Sequence, residues 1–166
     1  MAGPTRLDDV RLVYEEVHPR LWRALVAWTG SMDVADDAGA EAFAQLIRRG
    51  DAVRDPAAWV WRSAFRIAAG DLARRRAGGR RAGDEERLER LAGPVDRLPD
   101  DAVDLVRALA TLTDQQRQCV ALVYVADQSA VEAARVLGTS ASTVRVQLLR
   151  SRRRLRALLA NDEVTS

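Results

Sequence analysis

The sequence of 166 residues predicts an all-α protein made of two small helical domains joined by a flexible linker. Three observations predict it. Ala, Leu and Arg dominate while aromatic residues are only 5% of the chain, so helix formers outweigh the residue types that favour strands. Helix-capping patterns recur in both halves. Between them, residues 77–102 carry Gly78, Gly79, Gly93, Pro94 and Pro99 among charged residues, the composition of a linker. The domains are therefore expected over residues 7–76 and 103–160, with a short helix possible over Asp84 to Leu91. A hydrophobic fraction of 48% is ordinary for a globular protein.

The first helix is expected from Leu7 to Thr29, bent or broken near Pro19, with Leu12, Leu21, Leu25 and Trp28 on apolar faces and Gly30 ending it. Asp33 is the expected N-cap of a second helix, Val34 to Arg49, with Phe43, Leu46 and Ile47 facing inward. The third begins with Asp55 as N-cap and Pro56 in the first helical position. It carries Trp59, Val60, Ile67 and Leu72 and is expected to run to Arg76. In the C-terminal half, Thr113-Asp114-Gln115-Gln116 and Ser129-Ala130-Val131-Glu132 have the form of capping boxes. The helix opened by Ser129 should end at Leu137-Gly138, and Ser140 should cap a last helix running to about Leu159.

The net charge is +2, and every basic residue is Arg. Distribution is more informative than balance. Residues 145–156 hold six Arg and no acid; residues 62–81 hold seven Arg against Asp71 alone. Two basic segments fit two contacts with a polyanion, or two solvated helix faces. The single Cys119 excludes an internal disulfide and reads as a small core residue. The only His, His18, stands beside Pro19; there is no Cys/His metal cluster and no Gly-rich phosphate loop. No catalytic residue, metal or cofactor is expected. No run of about 18 apolar residues exists and Met1 to Leu12 lacks a signal-peptide core, so a cytoplasmic protein with no membrane span is expected.

Ser129 to Arg150 has the spacing of a helix-turn-helix. Ala134 is small where two helices approach, Gly138 suits a left-handed turn, and Val144 and Leu148 should face the core. Ser140, Ser142, Thr143, Arg145, Gln147 and Arg150 are then left for base edges in a major groove, and Arg153 with its neighbours Arg152 and Arg154 for phosphates. A plain helical hairpin would share this pattern. In the N-terminal half, Asp36, Asp37 and Glu41 cluster, with Asp37 and Glu41 on one face. Trp59 reads as core; Trp61 reads as core or as a stacking platform for an unpaired base. Arg62 and Arg66, four apart, are placed to follow a nucleic-acid backbone.

The runs Leu109 to Val125 (LATLTDQQRQCVALVYV) and Ser129 to Arg145 (SAVEAARVLGTSASTVR) closely resemble region 4 of sigma-70-family factors. His18-Pro19-Arg20-Leu21, Ala35-Asp36-Asp37 through Glu41-Ala42-Phe43, and Arg54 to Arg62 (RDPAAWVWR) resemble region 2. The order and length are those of an extracytoplasmic-function sigma factor. The resemblance implies a four-helix region 4 on the −35 element, through Ser140, Ser142, Thr143, Arg145, Gln147, Arg150 and Arg153. It implies docking on the RNA polymerase core through Asp36, Asp37, Glu41 and Phe43, and capture of the opened −10 strand through Trp61, Arg62 and Arg66. The implied partners are RNA polymerase core, promoter DNA and a separate anti-sigma factor, since the chain ends just past region 4 with no sensor domain expected. Such a protein is not an enzyme by itself. The departures are Ala40, where relatives usually have Gln, and Arg66 and Gly70, where they often have Asn and Asp. The alternatives are a stand-alone helix-turn-helix regulator and a protein that binds polymerase without opening promoters.

Overall fold

The computed structural model describes residues 5–78 and 100–165. Most of the expected linker, with the possible helix over Asp84 to Leu91, lies outside the described residues. Among the described residues there are seven α-helices and no strand.

α1 (Thr5–Thr29) runs through Pro19 as one helix, so of the bend or break expected there the break is excluded. An interior proline costs about 3 kcal/mol. Val17, Leu21, Ala24, Leu25 and Trp28, nearly all of them beyond it, are buried, and burying side chains of this size returns more than that. Leu12 is 63% exposed rather than inward, because it lies off the stripe formed by those residues. Gly30 stops the helix at φ 68°, its N–H bonded to Val26 O at 2.8 Å.

α2 (Met32–Arg49) is capped by Ser31, whose Oγ accepts from Val34 N at 3.2 Å. The expected cap Asp33 falls instead in the first turn, where a carboxylate favours the positive end of the helix dipole. Val34, Ala35, Ala38, Ala42, Phe43 and Leu46 are buried, while Ile47 is 51% exposed, against expectation. α3 (Pro56–Gly78) starts as expected, with Ala58 N donating to Asp55 Oδ1 at 3.1 Å, and continues two residues past Arg76. Trp28 of α1 stacks on Phe65 of α3, centroids 5.0 Å apart. Trp59 is half-buried, with the Arg49 guanidinium 5.8 Å from its ring centroid.

The C-terminal half holds α4 (Asp100–Ala110), α5 (Asp114–Val120) continuing into a π turn (Ala121–Val125), α6 (Ala130–Leu137) and α7 (Ala141–Thr165). Both capping boxes form: Thr113 with Gln116, and Ser129 with Glu132. Cys119 is buried, as expected, and burial pushes its thiol pKa up to about 11.

The halves share one core. α1 packs on α4, α5 and the π turn, and α3 packs on α6. Leu109, Leu112, Ala121, Leu122 and Ala126 join the cluster that contains Leu21, Leu25 and Trp28. Polar bonds secure this seam. The Arg20 guanidinium donates twice to Ala126 O. Trp28 Nε1 donates to Asp114 Oδ1 at 3.1 Å, and the same oxygen receives Arg117 Nη2 at 3.0 Å and Arg76 Nη2 at 3.3 Å. Burial alone would raise the Asp114 carboxyl, but the Trp28 hydrogen bond, Arg117 and then Arg76 outweigh it and hold its pKa below the ordinary 3.8.

Asp114→Ala removes an acceptor shared by three donors and should lower unfolding free energy in urea by roughly 1–3 kcal/mol at pH 7. Because the folded pKa lies below the unfolded one, that contribution is full above about pH 4 and is lost as pH falls through the folded value. The gap between wild type and variant should therefore close on acidification; equal stability at pH 7 would contradict this role.

Candidate nucleic-acid interface

Local chemistry sets the helix-turn-helix. Ser129 Oγ accepts from Glu132 N at 3.1 Å and Glu132 Oε2 accepts from Ser129 N at 2.7 Å, fixing the start of α6. These bonds also hold the Glu132 pKa below its ordinary value. Gly138 ends α6 in the left-handed conformation, φ 66° and ψ 36°, where a Cβ would be strained. Ser140 then caps α7, its Oγ accepting from Thr143 N at 3.1 Å. Buried Ala133 and Ala134 admit the close approach of α6 and α7.

Val144, Leu148 and Ser151 form the buried line of α7. Ser140, Ser142, Arg145, Arg150 and Arg153 are exposed, with Arg154 and Arg156 beyond them. The hydroxyls of Ser142 and Thr143 lie 3.0 and 2.8 Å from Ser140 Oγ, a small polar cluster at the helix start. Gln147 is half-buried and its Nε2 donates to Gln115 Oε1 of α5 at 3.0 Å, so its amide is anchored to the neighbouring helix. Tyr124 OH accepts from Arg152 Nη1 at 2.9 Å. Three residues on or beside this surface were missed from sequence: Val146, Leu149 and Tyr124 are all exposed. The signal for Val146 was present, since inward Val144 and Leu148 turn residue 146 to the far side at 100° per residue.

On α3, Arg62 and Arg66 are exposed and one turn apart. Trp61 is not beside them: it is 6% exposed, tilted against Phe65 at 6.3 Å, so the core alternative holds and the stacking-platform role is not open to it here. Gly70 has only Arg74 Nη1 near the place a Cβ would take, at 3.9 Å.

On α2, Asp36, Asp37 and Glu41 are exposed. Asp36 Oδ1 accepts from Trp22 Nε1 at 2.7 Å. Glu41 Oε1 accepts from Gln45 at 2.8 Å and Arg48 at 2.9 Å, bonds that lower its pKa. Phe43 is buried and does not belong to this surface, a second correction. Tyr14 meets its ring edge-on at 4.9 Å and His18 lies 6.4 Å away, so it fastens α2 to α1. Burial lowers the His18 pKa, partly opposed by Asp36.

A family model described as Sigma-70, region 4 matches residues 102–155, the four C-terminal helices down to Leu155. The whole chain resembles the structure of CnrH in complex with the cytosolic domain of CnrY, at 25% identity and a TM-score of 0.70 over 95% of this chain and 92% of that one. Residues 102–155 therefore carry a sigma-70 region 4 domain. The sigma factor RpoE of Bartonella quintana, in complex with the anti-sigma factor NepR, has the same fold: TM-score 0.71, 19% identity, 92% of this chain and 98% of that one. No curated protein matches this chain in sequence. Among the described residues, no helix is long and apolar enough to cross a membrane and no cluster of three or more potential metal ligands occurs.

Gly70 sits within α3 with no steric need for glycine. Gly70→Ala should raise stability by about 0.5–1 kcal/mol, read as a higher urea midpoint at unchanged slope. A lower midpoint would reveal a close approach absent from this structure.

Proposed function

We propose that this protein is an extracytoplasmic-function sigma factor that carries the RNA polymerase core to promoters, with residues 7–76 acting as region 2 and 103–160 as region 4. The observation that carries this reading is α7: a capped recognition helix whose outer surface holds Ser142, Arg145, Arg150 and Arg153 with no acid from Arg145 to Arg156. Arg145 and Arg150 reach base edges in the −35 duplex and Arg153 the phosphates. Arg62 and Arg66 meet the opened −10 strand. Arg66 offers only donors, which favours phosphate or an acceptor-rich edge such as guanine. Asp37 and Glu41, with Asp36 beside them, present the acidic face to the polymerase. The chemistry belongs to the polymerase, and the sigma factor works in the cytoplasm. A stand-alone regulator would need only the C-terminal half, whereas the structural likeness to CnrH spans both.

This function requires the halves to part. The −35 and −10 elements are about 25 base pairs apart by name, roughly 85 Å at 3.4 Å per step, whereas α3 and α6 are in contact here. The arrangement described is therefore that of the sigma factor off the promoter. CnrH and RpoE, which it resembles, are each seen with a partner bound; a separate anti-sigma protein holding the closed form fits this chain.

Run-off transcription with core polymerase tests the reading, and Asp37→Arg with Glu41→Arg tests the docking face. The double variant should keep its helical content and lose co-purification with core. Undiminished co-purification would place docking elsewhere, and absence of promoter-directed transcripts with wild type would refute the function.

A further inference from the structure

Val146 and Leu149 are large apolar side chains left in water on α7, 45% and 42% exposed. Relative to the inward Val144, Val146 is turned by about 200° and Leu149 by about 140°. They therefore lie side by side at the centre of the outward face, with Ser142 one turn before Val146. Arg145 and Arg150 flank them, and Arg152 and Arg153 follow.

We propose that Val146 and Leu149 read thymine 5-methyl groups in the major groove; this rests on α7 being the −35 helix. Within a groove the apolar feature of a base edge is the thymine methyl. The arginine rim selects the occupant: a duplex meets it with base-edge acceptors at Arg145 and Arg150 and with phosphates at Arg153, whereas an apolar protein surface would have to desolvate those guanidinium groups. Val is stiff at χ1 in a helix, so its methyls are presented in one geometry at little entropic cost. Three residues of helix advance about 4.5 Å, close to one base-pair step of 3.4 Å. The two side chains should thus contact methyls on neighbouring base pairs. Gln147, anchored by Gln115, lies on the flank of this face and not at its centre.

The test uses the full chain with core polymerase. After selection of −35 sequences in vitro, each thymine is replaced singly by deoxyuridine, which removes the methyl and keeps every hydrogen-bonding group. Replacement at two neighbouring pairs should weaken binding about fourfold each, the worth of one buried methyl-sized group. Val146→Ala should abolish the effect at one pair and Leu149→Ala at the other; both side chains are exposed, so folding is not at stake. Arg153→Ala should weaken thymine and uracil templates equally. If neither alanine variant changes the thymine-to-uracil ratio at any position, the proposal fails, and loss of a protein partner in the same variants would assign the pair to protein docking. If selected duplex is not distinguished from random duplex at all, the −35 reading itself fails with it.

Discussion

Trp28 is the side chain on which the arrangement of the two halves depends. It is 1% exposed, its face lies on Phe65 of α3, and its N–H reaches Asp114 of α5. One residue of α1 thus touches both halves, satisfying its single polar group while burying a large apolar surface. Asp114 extends the connection. It binds Arg117, which also donates to Leu112 O at 3.1 Å, and Arg76 near the end of α3. Arg20, about two turns before Trp28 on α1, secures the carbonyl of Ala126 just after the π turn. α1 is accordingly the element on which both halves pack.

The seam joins a buried apolar centre to a polar edge. Its margin is polar: Asp114 is half exposed and Arg76 mostly so. Net hydrogen bonds of this sort are worth about 1 kcal/mol each, more where charged. Arg76 also ends a basic run that begins at Arg74 on the helix proposed for the −10 strand. Phosphates and Asp114 would compete for it, so on this account promoter binding weakens the seam through the residues that define it.

Local signals were legible in the sequence where one segment determines them. Asp55, Thr113, Ser129, Ser140 and Gly138 cap or stop helices as their residue types dictate, and the 3.6-residue period placed Val144 and Leu148 inward. Ser31 displaced Asp33 because either can cap, and an Asp two residues in remains favourable to the dipole. Leu12 and Ile47 were misplaced because an apolar residue on a short amphipathic helix does not by itself say which face is covered. Phe43 and Trp61 sit within functional-looking segments, yet both serve the core; segment resemblance does not resolve the direction of a side chain. Least legible was the seam, since Trp28 and Asp114 are 86 residues apart and no periodicity links them.

The central claim is that the two halves share a core off the promoter and part upon it. Spin labels at Ala69→Cys on α3 and Arg135→Cys on α6, both exposed positions, measure this directly. Cys119 is buried with a thiol pKa of about 11 and stays unlabelled. Electron–electron distance measurement should give a single short separation in the free sigma factor and a separation longer by several tens of ångströms in the polymerase–promoter complex, as the spacing of the two elements demands. An unchanged short distance in an actively transcribing complex would contradict the account.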